Sequence, residues 1–128
     1  MQHKTMTKLV VKVDLETTAN GGPDGTSPEA HWRNNRVLLC GWVSNLNGIR
    51  INLSVNSLCD EIQNNIDLGR EVLLVAHHAK FDLKYLMRDR PDVEWERVEI
   101  WDTMTWEYRN SGHFTKFSSL EDTAKKHG

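Results

Sequence analysis

The sequence predicts a mixed α/β fold. Three observations carry this: an apolar, β-branched opening strand, a hairpin pattern beyond a long turn-rich loop, and then apolar strands alternating with helical periodicity. A three-strand meander followed by strand–helix alternation implies one mixed sheet, antiparallel in its first part and parallel afterwards, with helices on both faces.

The elements follow in order. Residues 8–15 (KLVVKVDL) form the first strand, rich in β-branched residues. Residues 19–35 carry Gly, Pro, Asp and Asn clusters without periodicity and form a loop. Residues 36–44 (RVLLCGWVS) are a second strand, the NLNG at 45–48 supplies turn chemistry, and 49–54 return as a third strand of a hairpin. Leu58, Ile62 and Ile66, spaced by four, put one apolar stripe on a helix over 56–68. Residues 71–76 (EVLLVA) have the continuous apolar character of a strand buried in a parallel sheet. A helix over about 80–90, with Leu83, Leu86 and Met87 on one side, stops before Pro91. Residues 97–101 (RVEIW) are the last strand. Asp102 or Thr103 can cap a helix running to about Arg109, and Ser118 with Glu121 fits a capping box for a final helix ending near Gly128.

Gross composition narrows the function classes. With 128 residues, 38% hydrophobic and 27% charged, the chain reads as a single globular domain over 1–128 rather than a disordered one. A formal net charge of −2 argues against a protein that coats nucleic acid by bulk electrostatics. It leaves open an enzyme that bridges phosphates to acidic residues through metal ions. Cys40 and Cys59 stand apart with no C-x-x-C pair, so they read as reduced thiols rather than zinc ligands. No apolar run approaches the roughly 20 residues of a membrane helix, and the N-terminus lacks the apolar stretch of a signal peptide. The expected compartment is therefore the cytoplasm.

The chemistry gathers at strand ends. On VVKVDLETT, Asp14 and Glu16 sit two apart, and strand side chains two apart share a face. Two bare carboxylates so placed repel each other, and a divalent cation with a taste for oxygen removes the repulsion. The D-x-E pattern alone says little, since Asp92 and Glu94 match it in a polar linker. Context separates the two cases. Asp14 and Glu16 close an apolar strand, and Asp82 opens the helix that follows a second buried strand. In a parallel sheet both strand ends open on one edge, where such sheets place their sites. This pattern suits metal-assisted phosphodiester hydrolysis.

Two segments carry a family resemblance. VVKVDLETT resembles the first exonuclease motif of the DEDD (DnaQ-like) superfamily, and AHHAKFDLKYL resembles the second. WDTMTWEY followed by SSLEDTAKKHG is similar to the continuation in the proofreading 3′–5′ exonuclease domains of phage and bacterial family A DNA polymerases. The likeness runs from Leu9 to Gly128. It implies an RNase H-like fold and removal of nucleotides from the single-stranded 3′ end of DNA with two Mg²⁺ or Mn²⁺ ions, in the host cytoplasm if the protein is phage-encoded. It implies Asp14, Glu16 and Asp82 as metal ligands and catalytic carboxylates. It places Leu15 and Thr17 at the terminal nucleotide, and Phe81 as the apolar residue before the third carboxylate. His78 stands where the family usually has Asn, so substrate contact is altered there.

The family's third motif, a Tyr or His followed by the fourth Asp, does not occur within these residues. Asp102 and Asp122 sit in helix contexts, and His113 and His127 have no Asp at the right offset. The resemblance therefore implies a domain truncated before that motif. Three readings stay open: an exonuclease completed by another chain, a non-cutting nucleic-acid- or protein-binding module on the same fold, and a weak enzyme using three carboxylates. Apolar surface is expected to lie uncovered near Trp95, Trp101 and Trp106, where a partner chain or second copy would dock.

Secondary signals are fewer. His77 and His78 are neighbours on a strand end and point apart, which argues against a metal pair. Lys80, Lys84 and Arg88 share one helical face, as a solvated surface or a strand-guiding patch. Trp32, in the long loop, is free to stack on a base.

Overall fold

The computed structural model describes residues 6–104. The expected helix beyond Met104, the capping box at Ser118 and Glu121, and Trp106 lie outside these residues. Five strands form one sheet: β1 (Leu9–Thr17), β2 (Val37–Ser44), β3 (Gly48–Asn52), β4 (Val72–Ala76) and β5 (Val98–Asp102). Two helices, α1 (Asn56–Asp67) and α2 (Ala79–Asp89), supply the connections β3 to β4 and β4 to β5. A single 3-10 turn at Trp95–Arg97, not foreseen from the sequence, leads into β5.

The strand order is β3-β2-β1-β4-β5, antiparallel across β1–β2–β3 and parallel across β1–β4–β5. The mixed sheet is therefore the one the sequence implies. β3, two antiparallel steps from β1, runs parallel to β4, so both helix connections are crossovers between parallel strands. Both carry the chain in the same direction across the sheet. Since such crossovers are right-handed, both helices come down on the same face. This corrects the expectation of helices on both faces as far as the described residues go.

Strand burial shows which face that is. On β1, Leu9, Val11, Val13 and Leu15 are buried, while Lys12, Asp14 and Glu16 are exposed. The buried set pairs across the ladders with Cys40 and Trp42 on β2 and with Val72 and Leu74 on β4. It packs in one cluster with Leu58, Ile62 and Ile66 of α1 and with Tyr85 and Leu86 of α2. The stripe foreseen on α1 is thus the one that meets the sheet, each side chain contributing ~2 kcal/mol through removal from water.

The other face is open among the described residues. It presents Val43, Ile49 and Ile51, the two isoleucines 77% and 69% exposed, and Trp101, 45% exposed. Trp101 keeps this partial exposure. Trp95 does not: it packs in the core and its indole N–H donates to Arg90 O at 2.9 Å. It follows the 3-10 turn inward, toward α1 and α2, instead of facing the side beyond β5.

The long loop between β1 and β2 is an ordered unit organised by one residue. Asn35 is 1% exposed, and its side chain makes four hydrogen bonds. Its Oδ1 accepts from Asn20 N–H at 2.7 Å and Thr18 Oγ1 at 3.2 Å, and its Nδ2 donates to Ser27 O at 2.7 Å and Glu29 O at 3.0 Å. An asparagine side chain has two donors and an acceptor with two lone pairs, so all its capacity is used. Tyr85 donates its hydroxyl to Pro28 O and Arg88 donates to Ala30 O and Asn35 O, which ties the loop to α2.

Candidate active site

β1 brings Asp14 and Glu16 to the open face of the sheet. The ladder pairs Asp14 with Gly41 and Glu16 with Leu39, so no side chain stands across from Asp14. The register shifts just beyond, between Glu16 and Thr17, where the ladder gives way to the loop. Leu15 points the other way into the core and is 8% exposed, so it offers the site its backbone only. Thr17 is half-buried at the irregularity. A shallow groove of about 310 Å³ runs beside Asp14, lined by Lys12, Gly41, Val43, Ile49 and Ile51 among others.

The second segment follows β4. The chain turns at His77 and His78 and enters α2, where His78 O accepts from Phe81 N–H at 3.0 Å and Asp82 N–H at 3.2 Å. Asp82 thus occupies the first turn of the helix, close to the carboxyl edge of β1 and β4. His78 is exposed, its ring stacked on Phe81 at 5.7 Å between centroids, and Phe81 in turn tilts against Tyr85 at 5.3 Å. His77 diverges from it, with Nδ1 3.1 Å from Thr103 Oγ1. The two histidines therefore do not form a pair.

Asp82 is the electrostatically unusual group. It is 7% exposed. Burial pushes its carboxyl up to about 7, and the negative charges of Asp14 and then Asp102 push the same way. Asp14 and Asp82, 68 residues apart in sequence, therefore share one electrostatic field. Asp102 is the member that sequence reasoning assigned to a cap alone. It does cap: Oδ1 accepts from Met104 N–H at 2.9 Å, at the start of helical backbone. Its Oδ2 also accepts from Ala79 N–H at 3.1 Å, joining the end of β5 to the start of α2. The signal that could have found it is its place at the carboxyl end of the strand next to β4, the edge that carries Asp82.

The charges that act on Asp82 are those of Asp14 and Asp102. Among the described residues, no three His, Cys, Asp or Glu side chains are gathered closely enough to hold a metal ion. The structure thus brings Asp14 toward Asp82, places Glu16 on the same face as Asp14, and does not close the three into one cluster. Among the described residues no helix is long and apolar enough to cross a membrane.

No protein-family model matches this chain, and no curated protein matches it either.

Proposed function

We propose that this protein is a DEDD-type 3′–5′ exonuclease domain with an RNase H-like sheet, acting on the single-stranded 3′ end of DNA. One observation carries the reading: a carboxyl, Asp82, lies within the field of Asp14 at the carboxyl edge of two parallel strands, and its ionisation is opposed first by burial and then by like charge. A carboxyl kept from ionising by its neighbours gains most from a cation, and an all-oxygen donor set suits Mg²⁺ or Mn²⁺. The mixed sheet, antiparallel and then parallel, is compatible with such a fold.

On this reading Asp14 and Asp82 are the carboxylates that a divalent ion would draw together, with Glu16 on the same face as Asp14 joining them only once the ion is bound; ions held so would neutralise phosphate charge and acidify a water. The rest belongs to the chain itself. Asp14 and Glu16 present carboxylates on the open face, where an incoming 3′ end can approach. The stacked rings of His78 and Phe81 border the approach from the α2 side. On this reading Thr17, just past the register shift, and Leu15 would meet the terminal nucleotide, Leu15 through its backbone because its side chain is in the core. The reading also needs a Tyr or His with a further Asp, which residues 1–128 do not supply in that pattern.

The test is Mn²⁺-dependent release of mononucleotides from a 3′-labelled single-stranded DNA, with wild type beside the double variant Asp14→Ala/Asp82→Ala. Release by wild type that the variant loses supports the reading. Equal release by both would overturn it. No release by the folded wild type would move the reading to a non-cutting module on the same fold.

A further inference from the structure

The β1–β2 loop and α2 enclose a cleft of about 410 Å³ lined by Ala30, His31, Arg33, Lys84 and Arg88. Three of these five are Arg or Lys, in a chain whose net charge is −2. Internal pairing does not account for the concentration. Arg88 is built into the wall: its Nη1 donates to Ala30 O and Asn35 O, both at 2.9 Å, and its guanidinium lies 4.8 Å from the Tyr85 ring centroid. Its Nε meets Asp89 at 2.8 Å. The side chains of Arg33 and Lys84 make no hydrogen bond or ion pair with any described residue. Converging cations on one concavity repel one another, and an anion resolves the repulsion.

The cleft is shaped before anything binds, because Asn35 and the Tyr85 and Arg88 contacts hold the loop against the helix. A preformed site loses less entropy on binding. Beside it stands Trp32, seated on Gly21, 36% exposed and with its ring 4.9 Å from that of His31. A basic groove next to exposed rings is the arrangement that holds unpaired nucleic acid, phosphates on the cations and bases on the rings. The place is also apt. The loop leaves the carboxyl end of β1 directly after Thr17, and Arg88 follows Asp82 by six helical residues, ~9 Å of rise.

We propose that this cleft binds the phosphate backbone of single-stranded nucleic acid and leads the strand to the edge that carries Asp14 and Asp82. The proposal rests on the nucleic-acid part of the function put forward above, and not on cleavage.

The test is fluorescence anisotropy of a labelled oligo-dT of about 12 nucleotides with the full chain in EDTA, so that binding is read without cutting. Wild type is compared with Arg33→Gln/Lys84→Gln and with a charge-matched control, Lys8→Gln/Arg97→Gln, whose cations pair with Glu99 and Glu94 and do not line the cleft. Each phosphate neutralised on a single strand contributes about 0.7 to the slope of log affinity against log salt. The cleft variant is therefore expected to lose about 1.4 of that slope, and the control to keep it. An unchanged slope in the cleft variant, an equal loss in the control, or no oligonucleotide binding by folded wild type would each overturn the proposal. The two ideas separate cleanly. Nucleotide release that depends on Asp14 and Asp82, with a slope indifferent to Arg33 and Lys84, sinks the cleft alone. A wild-type slope in Asp14→Ala/Asp82→Ala, lost on adding the cleft substitutions, supports the cleft even where nothing is cut.

Discussion

Replacing Asp82 by Asn should make the metal-free protein more stable at neutral and alkaline pH. Asp82 is 7% exposed, and burial with the charges of Asp14 and Asp102 lifts its carboxyl from 3.8 to about 7. Each tenfold step in a protonation equilibrium is ~1.4 kcal/mol, so full ionisation in the folded state costs up to about 4 kcal/mol. Relaxation and water entry lower such penalties, and a gain of ~2 kcal/mol is the expected size. The sign follows from linkage: the folded carboxyl binds its proton more tightly than the unfolded one. The cost is absent below about pH 4, grows as pH rises toward 7, and is complete above it. Urea unfolding in EDTA at pH 8 should show Asp82→Asn ahead of wild type, and at pH 5 the advantage should shrink to less than half. An Asn variant no more stable than wild type at pH 8, or one with the same advantage at both pH values, would refute the reasoning. The gain would be an instance of a site held at the expense of stability, and the same substitution should abolish any Mn²⁺-dependent nucleotide release.

Three further outcomes follow from the packing. Asn35→Ala strips partners from Asn20 N–H, Ser27 O and Glu29 O, and should lower stability by ~3 kcal/mol in urea titration while opening the loop to protease. Gly21→Ala would set a methyl 2.4 Å from Trp32 Cγ, so it should destabilise by ~1–3 kcal/mol and be rescued by adding Trp32→Ala, as read by thermal melting. The thiols of Cys40 and Cys59 are each pushed up to about 12, by burial first and for Cys40 by Asp82 next, so neither should react with a disulfide reagent at pH 8 until the chain unfolds.

Most of the element pattern was legible because it rests on short-range signals. The α1 stripe at Leu58, Ile62 and Ile66 names its own buried face, and Pro91 marks where α2 must end. The NLNG turn ends in Gly48, whose φ of +75° is one that glycine adopts without strain. What stayed hidden depends on distant parts meeting. Nothing in α1 or α2 says which face of the sheet receives it; that follows only from strand order and crossover hand. The loop was legible only as turn-rich, because its order comes from Asn35 spending every hydrogen bond on it, and an asparagine in a polar stretch carries no mark of burial. Asp14 and Asp82 were legible as a pair through their place at strand ends. Asp102 was not, because its local role as a cap is sufficient to explain it. Lys84 was legible only as part of a helical face, solvated or strand-guiding, and Arg33 carried no signal of its own; the fold of the loop onto α2 is what makes both line one cavity.

The alternation along β1 has a consequence for how this protein can fail. Odd positions are held by the apolar cluster, and even positions carry Asp14 and Glu16. A slip of one residue against β2 would exchange the two sets, pressing both carboxylates inward and turning Val11, Val13 and Leu15 out to water. Oil and charge thus proofread each other. The aim of Asp14 and Glu16 is guarded by the leucine and valines between them rather than by contacts of their own. A mispaired but soluble form with a displaced site should therefore not accumulate. Substitutions that loosen this ladder should reduce the amount of folded protein and leave the molecules that do fold with their carboxylates correctly placed.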